Sequence, residues 1–110
     1  MNKYGNRKVQ TFDGTFDSLK EARRWQELKL MQRAGEIYNL QRQVPYVLIP
    51  TQKDKDGKVI ERQTKYIADF VYRDKDHRLV VEDTKGMKTD VYRIKKKLML
   101  YRHGIVIQEV

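Results

Sequence analysis

Two short apolar runs with carboxylates inside them constrain this chain more than any other feature. Tyr66-Ile67-Ala68-Asp69-Phe70-Val71-Tyr72 and Leu79-Val80-Val81-Glu82-Asp83-Thr84-Lys85 both read as β-strands, joined by the polar turn at 73–78. Residues two apart on a strand share a face. Asp83 and Lys85 are therefore expected on the face of Leu79 and Val81, and Asp69 on the face of Ile67 and Val71. Lone charges on such faces are expensive. Two carboxylates that converge there repel each other unless a cation lies between them. A divalent metal with a lysine beside it is the apparatus for attacking a phosphodiester.

The downstream sequence sets the topology. Gly86 is expected to break the second strand. Thr89 or Asp90 then caps a helix over about 90–102 that carries Val91, Ile94, Leu98 and Tyr101, and His103-Gly104 ends it. Residues 105–110 read as a last strand. Strand, helix and strand make a βαβ crossover, which favours a parallel pair.

Upstream, Ser18-Leu19-Lys20-Glu21 has capping-box form and opens a helix over about 18–34, with Leu19, Ala22, Trp25 and Leu28 along one face. Gly35 is the expected residue past its end, with Ile37 as the hydrophobic closer. Residues 44–50 read as an edge strand between Pro45 and Pro50. Asp56-Gly57 signals a hairpin turn, and the chain returns from Val59 to Tyr72 with an expected interruption near Arg62-Gln63. Residues 1–15 are expected to form an arm or weak strand, with one domain over 16–110. The fold class expected is α/β, in the order αβββαβ, with a mixed central sheet flanked by helices.

Bulk composition narrows the partner. The chain has 110 residues, 39% hydrophobic and 35% charged, and a formal net charge of +9. This size fits one domain with a small core, and the basic balance suggests a polyanion, most simply nucleic acid. There is no cysteine and only two histidines, which excludes disulfides, thiolate catalysis and Cys- or His-rich metal sites. No apolar stretch approaches the ~20 residues of a membrane span, and the basic start has no hydrophobic core of a secretory signal. The expected location is cytoplasmic. Residues 86–103 carry six Lys/Arg against one acid, Asp90, so most of the net charge sits on the second helix. Lys88, Tyr92, Lys95 and Lys96 are the candidate phosphate contacts.

Asp69, the Asp83-Thr84-Lys85 triplet, Glu21 on the leading helix and the αβββαβ order together resemble the PD-(D/E)xK nuclease superfamily. The stretches Tyr66–Phe70, Val81–Gly86 and Lys95-Lys96-Lys97 also look like those of a small phage- and prophage-encoded endonuclease-like family within it. The likeness covers about residues 10–110. It departs at Ala68, where the superfamily often has proline, and Glu82 competes with Asp83 as the acidic member, although spacing to Lys85 favours Asp83. The resemblance implies an Mg²⁺- or Mn²⁺-dependent DNA endonuclease with Asp69 and Asp83 as ligands. The Thr84 carbonyl is implied as a further ligand, and Lys85 as the residue that acts on the attacking water. Glu21 is explained by capping alone; the resemblance adds a metal or metal-water contact. Gln43, which is near the metal site in similar nucleases, is carried over as a nucleic-acid contact. The resemblance further implies action on branched DNA, in the manner of a Holliday-junction resolvase, and a homodimer with two centres. The alternative is a basic, non-catalytic DNA- or RNA-binding module with a vestigial centre.

Overall fold

A computed structural model describes residues 7–85 and 87–110. The first six residues of the expected arm, and Gly86, lie outside the described residues. The elements run β1 (Val9–Thr11), β2 (Gly14–Phe16), α1 (Leu19–Arg33), β3 (Tyr38–Ile49), β4 (Gln52–Lys53), β5 (Val59–Glu61), β6 (Thr64–Arg73), β7 (Leu79–Asp83), α2 (Asp90–His103) and β8 (Gln108–Glu109). With the two hairpins set aside, the order is αβββαβ. The fold is α/β, with a four-stranded sheet in the order β3-β6-β7-β8. The sheet is mixed. β7 and β8 pair in parallel, Glu82 opposite Gln108 and Asp83 opposite Glu109, as the crossover through α2 requires. β6 and β7 are neighbours joined by a short turn, which makes that pair antiparallel.

The chain gathers into two compact units. One holds the chain up to Leu40 together with Tyr72–Leu79; the other holds Gln41–Val71 and Val80–Val110. In the first unit, β1 and β2 form an antiparallel hairpin with Val9 opposite Phe16. The Ser18 side chain caps α1 by accepting from the Glu21 N–H at 3.1 Å. The Glu21 carboxylate reaches back to accept from the Asp17 N–H at 3.3 Å. Ala22 and Leu28 are buried, while Leu19 at the first turn is half exposed. The helix ends on Ala34, Glu36 donates its N–H to the Met31 carbonyl, and Gly35 takes a φ of +77°. That left-handed geometry is what a glycine past a helix end supplies at little cost. The β6–β7 turn is organised by Asp74, whose Oδ1 accepts from the N–H groups of Asp76 and Arg78.

In the second unit, the core is Leu48, Tyr66, Ala68, Val71, Val81, Tyr92, Met99 and Ile107. It is built from the sheet and one face of α2. Thr89 caps α2 by accepting from the Tyr92 N–H at 3.1 Å, and Gly104 closes it in the left-handed region at φ +67°. The Asp54-to-Lys58 turn is held by Asp54, and the chain is interrupted at Arg62–Gln63 between β5 and β6.

Three local expectations are corrected. The strand 79–85 stops at Asp83, so Thr84 and Lys85 lie past its end. In β6 the face shared by Ile67, Asp69 and Val71 is not uniformly buried: Ile67 is 46% exposed and only Val71 is buried, whereas Tyr66, Ala68, Phe70 and Tyr72 of the other parity are all buried. Finally, α2 docks through Tyr92 and Met99. Much of the expected apolar stripe faces outward, with Ile94 57% and Tyr101 87% exposed. Apolar residues occur on nearly every side of this helix, so its own periodicity does not select a face.

Candidate active site

β6 and β7 bring Asp69 and Asp83 near each other in the second unit. Asp69 lies past the middle of β6. Its Oδ2 accepts from both the Thr84 N–H at 2.9 Å and the Thr84 hydroxyl at 2.8 Å. Its Oδ1 accepts a long hydrogen bond from Gln43 Nε2 at 3.5 Å. Gln43 holds a φ of +55° in the middle of β3. A left-handed backbone costs a non-glycine residue about 1–2 kcal/mol, and such strain collects where a side chain must be aimed. Here it aims an amide at Asp69.

Asp83 closes β7 and is fully buried. Its Oδ2 accepts a short hydrogen bond from the Tyr66 hydroxyl at 2.5 Å. Its Oδ1 is buried and has no hydrogen-bond partner among the described residues. Burial pushes the Asp83 carboxyl up to about 6, and the nearby Asp69 charge adds to the rise; the Tyr66 hydrogen bond and the Lys85 charge oppose it. At pH 7 the group is thus mostly ionised, with one bare oxygen away from water. A bare buried acceptor costs about 1–3 kcal/mol, and more when charged. Glu82 is also buried, one residue away on the strand.

Lys85 follows as an exposed residue whose Nζ lies 5.4 Å from the centre of the Tyr92 ring, a cation–π contact. Tyr92 is buried, and its hydroxyl donates to Glu109 Oε2 at 2.8 Å. Burial first, and then that bond, hold both phenols above their ordinary range, Tyr66 through its bond to Asp83 and Tyr92 through its bond to Glu109. Both tyrosines therefore remain neutral donors. Glu109 also pairs with Lys88 and Lys96, each at 3.2 Å. The Tyr92 hydrogen bond, then those lysines, lower its carboxyl to about 2.

Of the residues singled out from sequence, Asp69, Asp83, Thr84, Lys85 and Gln43 are brought together. Lys88, Lys96 and Tyr92 converge instead on Glu109, and Lys95 lines a cleft described below. Glu21 lies in the other unit, where it serves the start of α1. His103 accepts or donates at 2.7 Å to the Val47 carbonyl and packs on Tyr46, a structural place. Tyr66 and Glu109 were not picked out from sequence. Tyr66 shares the buried parity of Ala68 on β6, and that pattern was its one available signal. Glu109 gave none, because its role depends on the β7–β8 pairing.

The fit to a hard divalent cation can be judged from the donors alone. The unpartnered Asp83 Oδ1 and the neighbouring Asp69 carboxylate are oxygen donors of the right kind. Among the described residues, no group of three or more His, Cys, Asp or Glu side chains gathers to hold a metal. Magnesium sites that work on phosphates commonly use one or two carboxylates and leave the remaining positions to water and substrate, so the donor set fits.

With this geometry in place, the family assignment follows. The chain belongs to the family described as Protein of unknown function (DUF1064), whose model matches residues 1–108. No curated protein and no solved structure matches it. Among the described residues, no helix is long and apolar enough to cross a membrane.

Proposed function

We propose that this DUF1064 chain is an Mg²⁺- or Mn²⁺-dependent DNA endonuclease of the PD-(D/E)xK kind, encoded by a phage and working as a homodimer in the cytoplasm of its host. The observation that carries the reading is the buried Asp83 Oδ1, ionised near neutrality, without a partner and beside Asp69. A bound divalent ion supplies charge neutralisation at the scissile phosphate and lowers the pKa of water. Everything else is the work of side chains. Tyr66 fixes the rotamer of Asp83 by holding Oδ2, which leaves Oδ1 as the single free ligand atom. Thr84 and Gln43 fix Asp69 in the same way. Lys85, two residues past Asp83 and unpaired by any carboxylate among the described residues, orients or deprotonates the attacking water, or meets the charge that builds on phosphorus. The Thr84 carbonyl enters this reading as a third ligand.

One observation favours a second reading. No third acidic ligand gathers among the described residues, which favours a basic DNA- or RNA-binding module with a vestigial centre. Plasmid nicking separates the two. The nuclease nicks in Mg²⁺ or Mn²⁺, stops in EDTA, and loses turnover as Asp69→Asn or Asp83→Asn. Retained nicking in EDTA, or in both variants, overturns the assignment. Sedimentation of the purified chain tests the homodimer.

A further inference from the structure

We propose that a basic cleft beside Asp83 holds an unpaired DNA nucleotide next to the phosphate that is cut, so that the preferred substrate carries single-stranded DNA. This deepens the nuclease reading above and rests on it. The cleft has a volume of about 450 Å³. Lys65, Lys85 and Lys95 stand on it, and Ile67, Met87 and Val91 supply its apolar surface. Tyr66 and Tyr92 also line it, so it opens onto the groups that hold Asp83 and Lys85.

The lysines of this region fall into two classes. Lys88 and Lys96 are neutralised by Glu109. None of Lys65, Lys85 and Lys95 forms an ion pair among the described residues. Three ammonium groups around one small cleft repel one another, and a bound phosphate relieves that repulsion.

The apolar side chains decide what accompanies the phosphate. Ile67, Met87 and Val91 are each about half exposed or more. A duplex turns its phosphates outward and keeps its base faces stacked, so it leaves these side chains in water. An unpaired base has a free face to lay on them, and every base carries such a face. A cleft of this volume admits one nucleotide and excludes a double helix. Lys65 has no part in the acidic motif, and only the fold brings it here.

The test uses the full chain in EDTA, where binding is read without turnover. Fluorescence anisotropy compares a labelled single strand with a blunt duplex of the same length and sequence. The single strand should bind about tenfold more tightly. Lys65→Ala should lower the slope of log K against log salt for the single strand by about 0.7. Met87→Ala should weaken the single strand several-fold and leave the duplex unchanged. Lys97→Ala, which removes the same charge from a different cavity, should leave the strand preference intact. Equal binding of strand and duplex, or equal weakening of both by Met87→Ala, overturns the proposal, as does tighter binding of RNA of the same sequence. Nicking in Mg²⁺ is scored separately. Nicking without strand preference sinks the cleft assignment alone, whereas strand preference without nicking sinks the nuclease reading and supports the cleft as a DNA site.

Discussion

Replacing Asp83 with asparagine removes a charge that the metal-free fold holds at a loss. In the folded chain the carboxyl is raised from 3.8 to about 6. Because the folded pKa lies above the unfolded one, the folded state binds more protons between these values. Stability is therefore highest below about pH 4 and falls as pH rises to about 6, after which this group adds no further change. At 1.36 kcal/mol per pH unit of separation, the loss amounts to about 3 kcal/mol. The Asp83→Asn variant has no such dependence. The carbonyl of its side chain can still accept from the Tyr66 hydroxyl, but its amide places two donors where a bare oxygen stood, at about 1–3 kcal/mol if they find no partner. That penalty does not titrate. The informative quantity is thus the stability of Asp83→Asn relative to wild type, followed by urea unfolding in EDTA from pH 4 to pH 8. The variant should gain about 3 kcal/mol on wild type across that range, which at this chain length is roughly 13 °C in Tm. Glu109 does not confuse the reading. Its carboxyl is lowered to about 2, so its stabilisation is present above its ordinary pKa of 4.5, is lost only as pH falls below it, and is common to both proteins. Added Mg²⁺ should stabilise wild type by about 2.7 kcal/mol at a hundred times its dissociation constant and leave Asp83→Asn unmoved. A stability difference that is flat in pH would refute the claim that Asp83 is desolvated beside a second carboxylate.

Lys85→Ala should keep DNA binding in Ca²⁺ within a few-fold while single-turnover cleavage falls by roughly 100-fold or more; normal cleavage, or failure through lost binding, removes Lys85 from the chemistry. Lys85→Arg should rescue poorly, because a guanidinium that never deprotonates cannot serve as a base. Gln43→Gly should relieve the left-handed backbone and hold or raise stability by up to about 1 kcal/mol, yet lower cleavage by freeing Asp69; thermal melts and nicking rates measured on one preparation check both halves. Lys95→Ala should reduce the salt dependence of single-strand binding by about 0.7 in log–log slope, and Lys96→Ala by less, since Lys96 is already paired with Glu109; equal slopes would place the two lysines in one class.

Local chemistry was legible without the fold. Ser18 and Thr89 cap their helices, Gly35 and Gly104 end them, Asp56-Gly57 turns the chain, and the break at Arg62–Gln63 separates β5 from β6. Each depends on groups within a few residues, where φ, hydrogen-bonding capacity and side-chain period are written in the sequence itself. The αβββαβ order follows from the same signals, and so does the parallel β7–β8 pair, since a helix between two strands leaves few other routes.

Tertiary structure alone decided which side chains meet. The Tyr66 hydroxyl finds Asp83 across seventeen positions of chain, and that contact needs the register between β6 and β7. The face of α2 was settled by the sheet, because the helix is apolar on too many sides to choose for itself. Once Tyr92 and Met99 turn inward, Lys88 and Lys96 fall to Glu109 while Lys95 is left with Lys65 and Lys85 at the cleft. The sequence determined that carboxylates, lysines and a βαβ unit would be present. Which oxygen stays bare and which ammonium stays unpaired were set by distances between distant segments, and those exist only when the chain is packed.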